Sequence, residues 1–215
     1  SNFCPPDEKW NEFIDLTVQI EKKNLLRDMY MHPSLDSWGK QAEYIRFGLD
    51  VQVLHKRVRE YLSKTSGNIY FIFTMNNLSL PGMKSFWKHL LDLKKEFYRE
   101  GRQISATTEV LIYPRWQNIN ILPAENDHYF AETIDFVKQN LTDAPKGFTS
   151  VELQGILKAQ SSLQSPCEDL VGARRDFHRF FKEADRRRKT DFHSTFPELR
   201  EFYSLCAEME MQSVR

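Results

Sequence analysis

The sequence predicts an α/β protein built on parallel strands and followed by a helical C-terminal region. Three observations carry this expectation. From about Leu25 to Leu141, short apolar runs alternate with amphipathic helical patterns, the signature of βα units around a parallel sheet. One run, Ile69–Met75 (IYFIFTM), is almost continuously apolar and rich in aromatic and branched residues, as suits a strand covered on both faces. Beyond Asp143 strand signals stop, and spacings typical of helix N-termini take over.

Taken in order, Pro5 and Pro6 precede a helical face of Trp10, Phe13, Ile14 and Val18. Lys22, Lys23 and Asn24 mark its end, and Leu25 to Leu35 can hold a strand centred on Asp28–Met31. A polar, glycine-marked junction follows, His32 to Asp50 (HPSLDSWGKQAEYIRFGLD). Val51, Leu54, Val58, Tyr61 and Leu62 then recur at helical spacing until Ser66-Gly67-Asn68 breaks the pattern. After the strand at Ile69–Met75, Asn76-Asn77 forms a second polar exit, and Pro81-Gly82 opens a helix carrying Phe86, Leu90, Leu93 and Phe97. Gly101 is expected to close that helix. Val110–Tyr113 and Ile119–Leu122 are both apolar and stopped by proline; the second alternates and is the better strand candidate. Phe130, Ile134, Val137 and Leu141 form a further amphipathic face.

In the tail, Thr149 with Glu152, Ser165 with Glu168, and Thr195 with Glu198 match the capping-box spacing, and Pro166 and Pro197 fall where a first helical turn tolerates proline. These signals predict helices over roughly 150–160, 166–188 and 197–208. The expected organisation is therefore an α/β domain over residues 1–143 and a helical region over residues 144–215.

Bulk properties narrow the function classes. Thirty basic residues balance thirty acidic ones in 215 residues, so net charge points to neither a nucleic-acid binder nor a membrane-surface protein. No apolar run approaches the ~20 residues of a membrane span. Cys4, Cys167 and Cys206 are far apart and odd in number, without disulfide-framework or metal-ligand spacing, so a reducing cytoplasm is the expected compartment. GxSxG, P-loop, GxGxxG and HExxH motifs are absent, and the six histidines show no ligand spacing. The run Asp185-Arg186-Arg187-Arg188-Lys189 could touch phosphates, but a charged helix end is the more economical reading. Phe177, Phe180 and Phe181 read as core.

The junction at His32–Asp50 carries the best candidate chemistry. Strand C-terminal ends in α/β proteins open onto loops free of core duty, and ligands settle there. Ser34, Asp36 and Ser37 place hydroxyls and a carboxylate at such an exit, Gly39 permits close backbone approach, and Glu43 and Arg46 follow on the helix. Arg46 could hold a ligand carboxylate in forked geometry while Ser34 or Asp36 meets hydroxyl or amino groups. A structural reading stands beside this one: Asp36 or Ser37 capping the helix, and Glu43–Arg46 as a surface pair worth a few tenths of a kcal/mol.

The segment PSLDSWGKQAEYIRFGLD, then IYFIFTMNNLSLPGMKSFWKHLLDLKKEF, then LIYPRWQNINILP, resembles the later barrel half of radical S-adenosylmethionine proteins of the twitch-type group. The tail DRRRKTDFHSTFPELREFY resembles the C-terminal end of the same group, so the similarity runs from about Met29 onward. The resemblance implies a partial (βα) barrel with parallel strands, in which His32–Asp36 ends one strand and Asn76 ends the next. It further implies that Ser34 and Arg46 help hold S-adenosylmethionine, with Asp36 matching the motif carboxylate and Asn76 on the ligand side. The family's CxxxCxxC, which binds a 4Fe–4S cluster through three thiolates, is missing, so no cluster is expected on this chain, nor is radical chemistry by the chain alone. The implied function is the C-terminal portion or subunit of a radical S-adenosylmethionine-type enzyme. The alternatives are a non-catalytic binding or interaction module descended from that family, or an unrelated α/β protein. A half-barrel would leave a strand edge and an inner face open, so a homo-oligomer or a partner chain covering them is expected.

Overall fold

A computed structural model of the chain describes residues 4–142 and 145–212. It is an α/β structure with one three-stranded parallel sheet in the order β1-β2-β3, comprising Tyr30–Met31, Asn68–Met75 and Ile104–Val110. Strands adjacent in sequence are adjacent in space. Each connection is helical: α2 (Gly39–Ile45) and α3 (Val51–Lys64) join β1 to β2, and α4 (Leu80–Glu96) joins β2 to β3.

The two faces of the sheet differ. Along β2, Ile69, Phe71, Phe73 and Met75 are fully buried, while Tyr70, Ile72 and Thr74 are only half-buried. The covered face lies under α4, whose Phe86 meets Phe71 and Phe73 at ring separations of 5.7 and 4.6 Å. Helix α6 (Ser150–Leu163) covers the β3 side of this layer, with Gly155 set against Thr108. Helix α1 (Asp7–Lys22) packs outside α3, stacking Phe13 on Tyr61 at 6.4 Å.

A buried ion pair ties α6 to the sheet. Lys94 on α4 meets Glu152 at 2.8 Å, both side chains being 3% exposed or less. The Glu152 carboxylate also accepts from the Ala106 backbone N–H on the outer edge of β3, at 3.3 Å. An edge strand presents unpaired backbone donors, and here a side chain takes one of them. The same Glu152 completes the capping box with Thr149. Its buried charge is thus met by an ammonium group and two backbone donors, which compensates desolvation.

After α5 (Asp127–Gln139) and α6, the chain continues as α7 (Leu170–Arg188), the short α8 (Phe192–Thr195) and α9 (Arg200–Gln212). Phe177, Phe181, Phe192, Phe196, Phe202 and Tyr203 form an aromatic cluster that receives Tyr44 of α2. The Tyr44 hydroxyl donates to Asp185 Oδ1 at 2.8 Å. The helical tail is therefore packed against the junction that follows β1.

Several expected elements differ in the structure. The strand sought within Leu25–Leu35 shrinks to Tyr30–Met31 plus an isolated bridge from Ser34 to Ile72. Ile119–Leu122 is a 3₁₀ turn over Ile119–Ile121, because the Asn118 side chain accepts from the Asn120 N–H and Pro123 stops extension. The third strand instead runs over Ile104–Val110, ending at the first residue of the apolar stretch Val110–Tyr113, the weaker of the two candidates, and Ile112 and Tyr113 are exposed. Asp169, not Ser165, caps α7, and Asp191 caps α8 ahead of the Thr195–Glu198 spacing. The expected division between residues 143 and 144 lies outside the described residues.

Candidate functional site

Side chains alternate along a strand, and register partners in a parallel pair share a face. The half-buried face of β2 therefore continues across the sheet through Tyr70↔Ser105, Ile72↔Thr107 and Thr74↔Glu109. On the other side Ser34 bridges Ile72, Asp36 bonds Thr74, and the His32 and Tyr70 rings lie 5.8 Å apart. The result is a grid of three rows, formed by β2, β3 and the segment that continues past β1. Its last row, nearest the strand C-termini, is Asp36, Thr74 and Glu109. Eight of the nine positions carry a polar group, Ile72 being the exception. On an otherwise apolar sheet that composition is unsuited to a core and suited to water or ligand.

At the edge of the last row, Asp36 is buried, 5% exposed, and accepts from Arg46 Nη2 at 2.8 Å. Burial raises the Asp36 carboxyl above its usual 3.8, against the Arg46 hydrogen bond and charge and the bonds from Thr74, which lower it. Arg46 Nε is buried with no hydrogen-bond partner. Such a donor is costly to leave unmet, and it marks the guanidinium as incompletely satisfied.

The loop between Asp36 and α2 is held by close packing. Ser37 is fully buried against Gly82 in the first turn of α4, where an added Cβ would lie 1.9 Å from Ser37 Oγ and 3.1 Å from the Trp38 backbone nitrogen. Gly39 has φ +61, a left-handed conformation that glycine adopts without penalty as α2 begins. Trp38 stacks on His89 of α4 at 3.9 Å, and His55 of α3 sets its ring edge against His89 at 4.7 Å. Burial, then the charges of His55 and Arg59, push His89 down to about 3, so it is neutral at physiological pH.

Of the residues singled out from sequence, Asp36 and Arg46 pair at one end of the grid, and Ser34 stands one row back, opposite Ile72. Arg46 reaches Asp36 as the residue closing α2, not from within the helix. The local alternatives are not what the structure contains. Trp38 occupies the N-cap of α2, Glu43 accepts from the Val51 N–H at 3.1 Å, and Asp50 caps α3. Asn76 is 3% exposed and bonded within its own turn, accepting from Leu78 N–H and donating to Thr74 O. Sequence reasoning missed Thr74, Ser105, Thr107 and Glu109. The alternation Ile104-Ser105-Ala106-Thr107 was the available signal, masked by the weak apolarity of the strand.

No family description, curated protein or solved structure matches this chain. Its chemistry must be read from its own residues. Among the described residues no group of three or more His, Cys, Asp or Glu could hold a metal ion. Cys4 lies ahead of α1, Cys167 ahead of α7 and Cys206 within α9, so the thiols of this chain do not fit a three-thiolate cluster. No described helix is long and apolar enough to cross a membrane. The grid and its Asp36–Arg46 pair can hold a ligand with a carboxylate and several hydroxyl or amino groups.

Proposed function

We propose that this chain is the C-terminal portion or subunit of a radical S-adenosylmethionine-type enzyme, cytoplasmic, contributing one wall of the cosubstrate pocket and no iron–sulfur cluster. One observation carries the reading: a buried carboxylate paired with a half-buried arginine stands at the C-terminal end of a polar, half-buried face of a parallel sheet. Sequential strand order with helical crossovers is the pattern of a barrel segment, and barrel ligands sit at the strand C-termini. S-adenosylmethionine offers a carboxylate, an amino group and ribose hydroxyls. Arg46, with its unmet Nε, would take the carboxylate, and Asp36 and Ser34 the amino or hydroxyl groups. Bound S-adenosylmethionine supplies a cleavable sulfonium; this chain's part is to bind and orient it.

Isothermal titration calorimetry with S-adenosylmethionine tests the wall directly. Binding that Arg46→Ala abolishes is expected; identical heats for wild type and variant would remove Arg46 from the site. The same reading requires a homo-oligomer or partner chain at β1, where two paired residues leave an edge flanked by exposed Leu25, Leu26 and Tyr30. Sedimentation showing a monomer at high concentration, with no partner added, would count against self-association.

A further inference from the structure

A groove lies between α7 and the loop that follows β3, about 540 Å³ in volume, within the roughly 300–1,000 Å³ of small-molecule sites. Trp116 and Phe180 stack there at 4.1 Å, and Phe180 leaves 39% of its surface exposed. Arg179, Arg187 and Arg188 line the same groove, together with the carboxylates of Asp176 and Glu183. A half-exposed aromatic pair and three guanidiniums set among two carboxylates thus share one concavity.

The charges at this end of α7 do not balance. Arg186, Arg187, Arg188 and Lys189 are consecutive, and Glu183 and Asp185 are the adjoining carboxylates, an excess of two cations. Glu183 alone is shared by Arg186 and Arg187. Asp185 is committed inward to Tyr44, Thr190 and the Phe192 N–H. Arg188 makes no ion pair among the described residues and rests over the Phe47 ring at 4.9 Å. A helix C-terminus favours cations through its dipole, which accounts for basic residues at this end. It does not account for the convergence of Arg187 and Arg188 with Trp116 and Phe180 on one groove.

We infer that this groove binds a nucleoside phosphate, the base lying against Trp116 and Phe180 and the phosphate held by Arg187 and Arg188. Guanidiniums match phosphate oxygens in forked geometry, and aromatic side chains accept any base by stacking. The carboxylates of Asp176 and Glu183 on the same groove wall favour a single phosphate group over a long polyanion. The inference is independent of the Arg46 pocket.

The test is calorimetric titration of the whole chain with AMP, adenosine, inorganic phosphate and an acidic peptide, on wild type and variants confirmed folded by circular dichroism. AMP is expected to bind at least about tenfold more tightly than adenosine or phosphate. Arg188→Gln with Arg187→Gln, and separately Trp116→Ala, should each weaken AMP at least about tenfold, while Arg46→Ala leaves it unchanged. Equal binding of adenosine and AMP, no AMP binding at millimolar concentration, preference for the acidic peptide, or loss of AMP binding in Arg46→Ala would each overturn the assignment.

Discussion

Acidification from pH 8 to pH 5 should destabilise this protein through His89, whose ring is 8% exposed between Trp38 and His55 with Nε2 unpartnered. The folded state holds this imidazole at about 3 against an ordinary 6.5, so below pH 6.5 the unfolded chain binds a proton that the folded chain refuses. Stability is therefore full above pH 6.5 and falls as pH drops toward 3. Integrating between those values gives a loss of about 2 kcal/mol at pH 5 relative to pH 8. For a chain of this size that corresponds to a fall in Tm of about 4–8 °C. His55, also held low by burial and by Arg59, acts in the same direction but is more exposed. Asp36 acts oppositely: its raised carboxyl stabilises the fold at low pH, and that contribution is lost as pH rises through its folded value. His89→Phe keeps a ring against Trp38 and removes the titration, leaving every other group in place. Guanidinium unfolding of both proteins at pH 8 and pH 5 isolates the effect as a difference of differences. A wild-type loss no larger than that of His89→Phe would refute the reasoning.

Three further outcomes follow from packing and charge. Glu152→Gln strands the buried Lys94 ammonium and should cost about 3–5 kcal/mol, with much of the loss recovered in Lys94→Met/Glu152→Gln, which removes the stranded charge and keeps an acceptor for the Ala106 and Thr149 backbone donors; equilibrium denaturation of the single and double variants checks it. Gly82→Ala drives a methyl into Ser37 and should cost about 1–3 kcal/mol, and Ser37→Gly in the same chain should relieve it. Asp50→Ala removes the bond that caps α3 at Val53 and should cost about 1 kcal/mol by the same measurement, without altering the Asp36–Arg46 pair.

What the sequence determined by itself is the local and periodic part of the structure. The run Ile69–Met75 is a strand because nothing in it permits solvent on its main face, and the faces of α3, α4 and α5 follow from apolar spacing. Thr149 and Glu152 form their box because the interaction spans three residues. The α/β class follows from these pieces in alternation. The junction at His32–Asp50 was legible as a polar strand exit for the same reason.

The tertiary structure decided the rest, because those interactions join residues whose separation carries no periodic signal. Ile119–Ile121 alternates as a strand does, yet a 3₁₀ turn also buries its two isoleucines, and only its place between two caps separates the cases. Ile104–Val110 is a strand through seven register partners on β2 and the Glu152 carboxylate at its edge, which compensate its weak apolarity. Arg46 could have paired locally with Glu43; burial of Asp36 beneath Thr74 gave the guanidinium a less hydrated and stronger partner. Whether a polar side chain at a strand exit faces a ligand or solvent depends on which face the helices cover, and that is settled only when the chain closes over one side of its sheet.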